Sequence, residues 1–390
     1  MAILFISGLH SYNGMSSSGG NAMYGIAESL CTLAQEDITF ISYPIVPSFP
    51  TGPIWIGWNM EDFDMGCKIQ TLPTLNLKIL KSILWGIECR KLIRKWAAQH
   101  VGEVCKVIVY NTYHPPIGDI YSACKKVDAK LFAILYDLGV PPKRLGLNWL
   151  TMQGYYFSEK EAKKYVPLLD GRIVINELIG MHYAPEKDYI LVDGAVNSQV
   201  VSHLFPLKEK VDNIFTFVLA GSLWENNGTR LVLDTMKQYS NPNIRVVFAG
   251  DGGDVPLIIS AAEKDSRISY AGMLDMDSLF ELYNRADVLL NTRLEENVDY
   301  HFPGKLFEYL ATGRYVISTS VAHAERDYGE YMAILHAWSP KELMHLMEDV
   351  QRKGKEHLYL VGTKARQFML ENRTWEVQVQ RILEYIESKS

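Results

Sequence analysis

The stretch Phe302-Pro303-Gly304-Lys305-Leu306-Phe307-Glu308-Tyr309-Leu310-Ala311-Thr312-Gly313, followed by Tyr315-Val316-Ile317-Ser318-Thr319, decides how this chain is read. Pro and Gly end one element and open the next, so the pattern predicts a short helix beginning near Lys305. Gly313 closes that helix and releases the chain into an apolar run that reads as a buried strand. Amides at a helix start, backed by the helix dipole, attract phosphate. Lys305 adds a point charge, and Glu308, one turn in, offers two acceptor oxygens suited to a vicinal diol. A nucleoside diphosphate has both groups at about that separation.

Strand-like and helix-like segments alternate on either side of this stretch. In the first half the strand candidates are Ala2–Ser7, Ile38–Ser42, Val107–Asn111, Lys130–Tyr136, Arg172–Ile175 and Tyr189–Val192, and the helix candidates are Asn21–Ala34, Leu77–Gln99, Ile117–Lys126 and Ser158–Tyr165. In the second half, apolar runs at Phe215–Gly221, Val246–Gly250 and Ile268–Gly272 each end in Ala-Gly, and Asp287–Asn291 and Tyr315–Thr319 add two more strands. Alternation of this kind predicts an α/β protein with parallel sheets covered on both faces. Glycine at the carboxyl ends of parallel strands makes the turn and also lets a ligand approach the backbone, in the crevice such sheets use for binding. Ser198–Asp212, with Pro206 and a mixed-charge run, reads as the linker, and Tyr43–Asn76, with five prolines, is too irregular to assign.

At 390 residues the chain can bury two cores, and its 48% apolar and 22% charged content is that of a globular enzyme. A formal charge of −6 argues against broad nucleic-acid binding. The first residues lack a basic n-region and read as a strand, and no apolar run approaches a membrane span. Cys31, Cys67, Cys89, Cys105 and Cys124 form no C-x-x-C pair, so the expectation is five reduced thiols in a cytoplasmic protein. No Asp-x-Asp signature is present, so no metal is implied, and the absence of G-x-G-x-x-G disfavours a plain NAD enzyme.

The Phe302–Gly313 segment resembles the donor-binding segment of family 4 glycosyltransferases with the GT-B fold, in the branch reading Pro-Ser-Lys-Leu-x-Glu-Tyr-Leu-Ala-x-Gly-x-Pro-Val. Gly304 replaces the Ser and Tyr315 the late Pro. The resemblance implies two Rossmann-like domains with parallel sheets facing a central cleft. Residues 1–200 would bind acceptor and residues 201–372 nucleotide sugar, with a terminal helix, 373–390, crossing back to the first domain. It further implies transfer with retention, with no cofactor beyond the nucleoside diphosphate sugar as co-substrate. Glu308 would hold the ribose and Lys305 the phosphates, with the backbone at Gly304 and Leu306 beside them.

The same resemblance places Gly19 and Gly20, in Ser16-Ser17-Ser18-Gly19-Gly20, near the transferred sugar or the phosphates. Asp137 matches a family position that meets the acceptor or orients its loop, though Asp after a strand is equally a turn residue. Where family members often carry a catalytic His, this chain has Tyr136. Gly221-Ser222-Leu223-Trp224-Glu225-Asn226-Asn227-Gly228 occupies the family's phosphate segment, with Ser222 and Asn227 at positions usually Arg and Lys, so Arg230, Lys305 and backbone amides would carry the phosphate charge. The first acid of the broader family's Glu-x7-Glu falls on Tyr300, which leaves Glu296, Asp299 and His301 as substitutes.

Leu75–Trp96 is basic and carries two tryptophans. Packing of its apolar face on the first sheet is the plainer reading. Peripheral contact at the inner face of a membrane is the alternative, fitting a glycan or lipid-linked acceptor. Two other functional classes stay open: a nucleotide-sugar epimerase on the same fold, and a non-catalytic nucleotide-sugar-binding subunit.

Overall fold

The alternating apolar runs form two separate parallel sheets in the computed structural model, which describes residues 1–9, 18–33, 37–57, 59–62, 67–78, 80–138, 149–186, 188–207, 212–294 and 302–389. Chain contacts divide the protein into one unit of Met1–Gly194 with Trp375–Ser390 and a second of Ala195–Thr374.

In the first unit the sheet order is Ile190–Leu191, Gly171–Val174, Lys130–Leu135, Cys105–Tyr110, Ala2–Ser7, Asp37–Ser42, Lys68–Thr71 and Asn59–Asp62. All neighbours are parallel except the last pair. Ala2 to Ile6 are wholly buried, as expected of a central strand covered on both faces. The helices Leu80–Gln99, Ile117–Lys126 and Trp149–Tyr165 pack side by side in that order. The helix Ser18–Leu33 packs instead on the terminal helix Trp375–Glu387, where a Cβ at Gly25 would lie 2.0 Å from the Trp375 ring. Buried Lys106 is satisfied by the terminal helix, donating to the carbonyl of Ile386 at 2.9 Å.

The proline-rich connection has an order that periodicity could not reveal. Trp55–Ile56 pairs antiparallel with Thr74–Leu75. Asn76 then holds the loop together: its side chain donates to the carbonyls of Pro47 and Pro53 at 2.8 and 2.9 Å, and its backbone N–H to that of Ile54. One buried amide thereby satisfies carbonyls that no ladder reaches.

One expectation for this unit changes, and for the basic helix the plainer reading agrees with the structure. Cys31 and Cys67 are disulfide-bonded, so the chain holds three free, buried cysteines in place of five thiols. The end of one helix and the start of the strand Lys68–Thr71 bring their Cα atoms to 6.3 Å, a proximity hidden by a sequence separation of 36. The tryptophans of the basic helix point inward: Trp85 and Trp96 are 2% and 4% exposed, and Trp85 donates to Thr74. Leu80, Ile83, Lys91, Arg94, Lys95, Ala98 and Gln99 are what that helix leaves exposed. No helix among the described residues is long and apolar enough to cross a membrane.

The second unit has a six-stranded, wholly parallel sheet in the order Ile268–Tyr270, Ile244–Asp251, Phe215–Ser222, Val288–Asn291, Tyr315–Thr319 and Met332–Leu335. Its core is the inward face of those strands, built on Phe217, Leu219, Val246, Phe248, Leu290 and Ile317, against Leu231, Met236 and the long C-terminal helical segment Pro340–Asn372. The order steps from Phe215–Ser222 to its two neighbours in opposite directions, which opens a crevice at its carboxyl end.

Alkylation in denaturant without reduction is expected to label three cysteines, rising to five after reduction. Five labels before reduction would contradict the Cys31–Cys67 bond.

Candidate functional site

The helix predicted near Lys305 spans Gly304–Thr312 and ends at Gly313 in the left-handed conformation (φ 75°). Leu306, Phe307, Tyr309, Leu310 and Ala311 are buried along its inner face, which fixes its rotation and turns Gly304, Lys305 and Glu308 toward the crevice side. Pro303, the residue before the first turn, provides no side-chain cap. A Cβ at Gly304 would meet nothing within 4 Å among the described residues. Uncapped amides at a helix start suit an anion.

Lys305 folds back onto the end of the strand Phe215–Ser222, where its Nζ donates to the carbonyl of Ala220 at 2.6 Å. The Tyr309 hydroxyl donates to the same carbonyl at 3.2 Å and accepts from the Ala220 N–H at 3.4 Å. Pairing of this strand with Val288–Asn291 covers Phe217 and Val218, so beyond it the helix side chains take over the strand's polar groups. The approach requires glycine at two registered positions. A Cβ at Gly221 (φ 115°) would sit 2.2 Å from Lys305 Nζ, and one at Gly250 (φ 124°) 1.9 Å from the Gly221 carbonyl.

Glu308 is half-buried one turn further in, and its Oε1 is buried with no hydrogen-bond partner among the described residues. The hydroxyl of Tyr283, on the helix Met276–Arg285, is buried in the same condition, and the Tyr283 and Tyr309 rings meet edge to face at 5.4 Å. Burial raises the Glu308 carboxyl above its ordinary value, against the pull of Lys305 and Tyr283. Burial likewise lowers the Lys305 ammonium, against the pull of Glu308. Each charge therefore supports the other in a poorly solvated place. An acceptor oxygen left without a donor in such a position is one that a ligand hydroxyl can satisfy.

The structure thus brings Gly221, Gly304, Lys305 and Glu308 into one neighbourhood. Leu306 is wholly buried and its N–H already donates to the Pro303 carbonyl at 2.9 Å, so of the first-turn residues it is the least able to meet a ligand. The remaining phosphate candidates are differently employed. Asn227 donates its side-chain amide to the carbonyl of Ser222 at 2.8 Å, closing the loop on itself. Ser222 is exposed beside it. Arg230 is held by Glu225 at 2.9 Å and by buried Asp254 at 3.1 Å, so its charge is already matched by two carboxylates.

Sequence reasoning missed Tyr283, whose part at the site depends on a contact between two helices and carries no motif. It also missed Arg293, a half-buried cation just after Val288–Asn291 whose guanidinium is lowered by burial. A charged residue directly after a predicted buried strand was the available signal. Glu296, Asp299, Tyr300 and His301 lie outside the described residues, as do Ser16 and Ser17.

In the first unit, Gly19 and Gly20 form part of the first turn of Ser18–Leu33. Asp137 is exposed after Lys130–Leu135. Asn111, in the left-handed region at φ 61°, accepts from the Tyr136 N–H at 3.0 Å and donates to Asp137 Oδ2 at 3.4 Å. Tyr113 donates its hydroxyl to the Asp137 carbonyl. Tyr136, at the family's histidine position, is a buried ring packed on Tyr110.

Residues 214–353 match the family model described as "Glycosyl transferases group 1". Solved structures match the chain along its whole length. They include a glycosyltransferase from Rickettsia africae (14% identity, 100% of this chain and 98% of that one, TM-score 0.68) and sucrose-phosphate synthase from Thermosynechococcus elongatus (13%, 99% and 98%, 0.67). Anabaena HepE in complex with UDP is similar to the same degree (13%, 100% of both chains, TM-score 0.66). No curated protein matches by sequence. The chain has the GT-B fold, and its second unit carries the group 1 glycosyltransferase segment.

Between the unfolded carboxyl value of about 4.5 and its raised folded value, Glu308 keeps in the folded protein a proton that the unfolded chain releases. Its contribution to stability therefore falls as pH rises through that interval. Glu308→Gln removes this term, so a flatter melting-temperature profile across that interval is expected, with no loss of stability at neutral pH. Thermal unfolding across pH checks it, and a destabilised variant at neutral pH would contradict the account.

Proposed function

We propose that the protein is a glycosyltransferase that moves a sugar from a nucleoside diphosphate sugar to an acceptor hydroxyl, with retention and without a metal cofactor. The observation that carries this reading is Glu308 Oε1, buried with no hydrogen-bond partner among the described residues, one turn inside a helix start that has no side-chain cap and also bears Lys305. The matched family segment and the GT-B fold support it. UDP is the first nucleotide to test, because the similar Anabaena structure holds UDP.

In this reading Glu308 accepts hydrogen bonds from the ribose diol, and the amides of Gly304 and Lys305 at the helix start, with the Lys305 ammonium, receive the diphosphate. The bond between the anomeric carbon and the phosphate oxygen breaks as the acceptor oxygen attacks the same carbon, and the acceptor's proton passes to the departing diphosphate. Lys305 and the amide dipoles stabilise the negative charge that develops on that leaving group. Lys305 supplies the charge because Arg230 is already matched by Glu225 and Asp254. Residues 201–372 are assigned the donor and residues 1–200 a glycan or lipid-linked acceptor, with Asp137 directed to the acceptor and Gly19-Gly20 to the sugar or phosphates. Contact with a membrane surface through residues 75–96 would be electrostatic, through Lys91, Arg94 and Lys95, since Trp85 and Trp96 are inside.

The paired state of Arg230 favours one second reading, a subunit that binds nucleotide sugar without transferring it. Calorimetry against UDP, GDP, ADP, CMP and dTDP, followed by turnover with the sugars of whichever binds, decides between the two. We expect selective binding of one diphosphate, acceptor-dependent release of that nucleotide, and a loss of kcat/KM of about a hundredfold or more in Lys305→Ala. Binding without turnover for any acceptor would establish the second reading, and binding of none would overturn both.

A further inference from the structure

The helix Trp149–Tyr165 of the first unit has an outward face unlike any expected from the sequence. Trp149, Tyr156 and Phe157 are 70%, 57% and 59% exposed. At helical spacing Trp149, Tyr156, Lys160 and Lys163 follow one another along the face, with Phe157 and Lys164 flanking them. The helix's two acids lie inside the face, with Lys163 reaching back to Glu159 at 3.4 Å while its own side chain stays exposed. Glu159 is buried and accepts from His182 Nε2 at 2.7 Å and from the Tyr183 hydroxyl at 2.8 Å. Glu161 is half-buried, and its Oε2 lies 3.4 Å from the Gly118 N–H. The outward face is thus aromatic at its beginning and purely cationic at its end, on a chain whose formal charge is −6.

The neighbouring helices continue the charge. Ile117–Lys126 packs beside Trp149–Tyr165 and Leu80–Gln99 beyond it, and these add exposed Lys125, Lys126, Lys91, Arg94 and Lys95. Concentrating cations in one layer of an acidic protein creates a local field that attracts an extended anionic surface. A soluble polyanion would use the lysines but leave three large aromatic rings in water. Tryptophan and tyrosine have an apolar body and a polar edge, and they settle at the headgroup level of a bilayer. We propose that this helix layer docks on an anionic lipid bilayer, with Trp149, Tyr156 and Phe157 entering the headgroup region and Lys160, Lys163 and Lys164 facing the phosphates. The attachment is independent of whether the second unit transfers sugar.

Flotation with vesicles of phosphatidylcholine alone, and of phosphatidylcholine mixed equally with phosphatidylglycerol, tests it on the full chain. The expected result is binding to the anionic vesicles only, weakened by added salt. Replacing Lys160, Lys163 and Lys164 together by Gln should weaken binding by about a hundredfold, at about fivefold per charge. Replacing Trp149, Tyr156 and Phe157 together by Ser should remove the part of the binding that salt does not. Circular-dichroism melts check that both variants fold, and single Lys160→Glu, at an exposed position, serves if either does not. Four results would overturn the proposal: no binding of the unaltered protein to anionic vesicles; equal binding by all variants; loss confined to a Lys91→Gln, Arg94→Gln, Lys95→Gln variant; or aromatic-dependent self-association without lipid binding.

Discussion

The candidate site depends on the close approach of one helix start to one strand end. The Ala220 carbonyl receives both Lys305 Nζ and the Tyr309 hydroxyl, beyond the point where its strand's pairing with Val288–Asn291 stops. Glycine at 221 and 250 permits the approach, since a Cβ at either position would collide with Lys305 or with the Gly221 carbonyl. The buried face of Gly304–Thr312 then orients Glu308, and Tyr283 and Tyr309 wall it off. Moving the helix start would displace the cation, the carboxylate and the open amides together.

The arrangement trades stability for readiness. Glu308 and Lys305 share a poorly solvated place where burial raises one and lowers the other, and one carboxylate oxygen has no donor among the described residues. Such a group costs folding free energy, and a ligand supplying the missing hydrogen bond would recover it on binding. The loop after Gly221 is the reverse case. Asn227 holds the Ser222 carbonyl, and Glu225 and Asp254 hold Arg230, so the loop is shaped by its own polar groups. Of these two cations, Lys305 and not Arg230 is therefore the one beside Glu308 without a carboxylate already holding it in an ion pair of its own loop.

Much of the fold was legible because it rests on local signals. Buried strands such as Ala2–Ser7 and Tyr315–Thr319 declared themselves as short apolar runs bounded by breakers, and Gly313 marked a helix end that it closes in the left-handed conformation. What stayed hidden depends on distant residues meeting. The order of the proline-rich connection comes from Asn76 reaching back to Pro47 and Pro53, and the Cys31–Cys67 bond from two elements meeting at their ends. The inward tryptophans of Leu80–Gln99 show the limit of composition, since a basic helix with Trp reads the same whether its rings face lipid or sheet. At the site, Lys305 and Glu308 were visible from spacing on one helix, whereas Tyr283 was not, because its contact joins separate helices. The engagement of Arg230 by Asp254 was invisible for the same reason.

The central claim, that Glu308 recognises a ribose diol, is tested most directly by a calorimetric double cycle. The nucleoside diphosphate that binds and its 2′,3′-dideoxy analogue are titrated into the unaltered protein and into Glu308→Ala. The account predicts that losing the diol weakens binding by about tenfold or more in the unaltered protein, the worth of charge-assisted hydrogen bonds, and changes it little in the variant. An equal loss in both proteins would place the diol elsewhere and contradict the assignment.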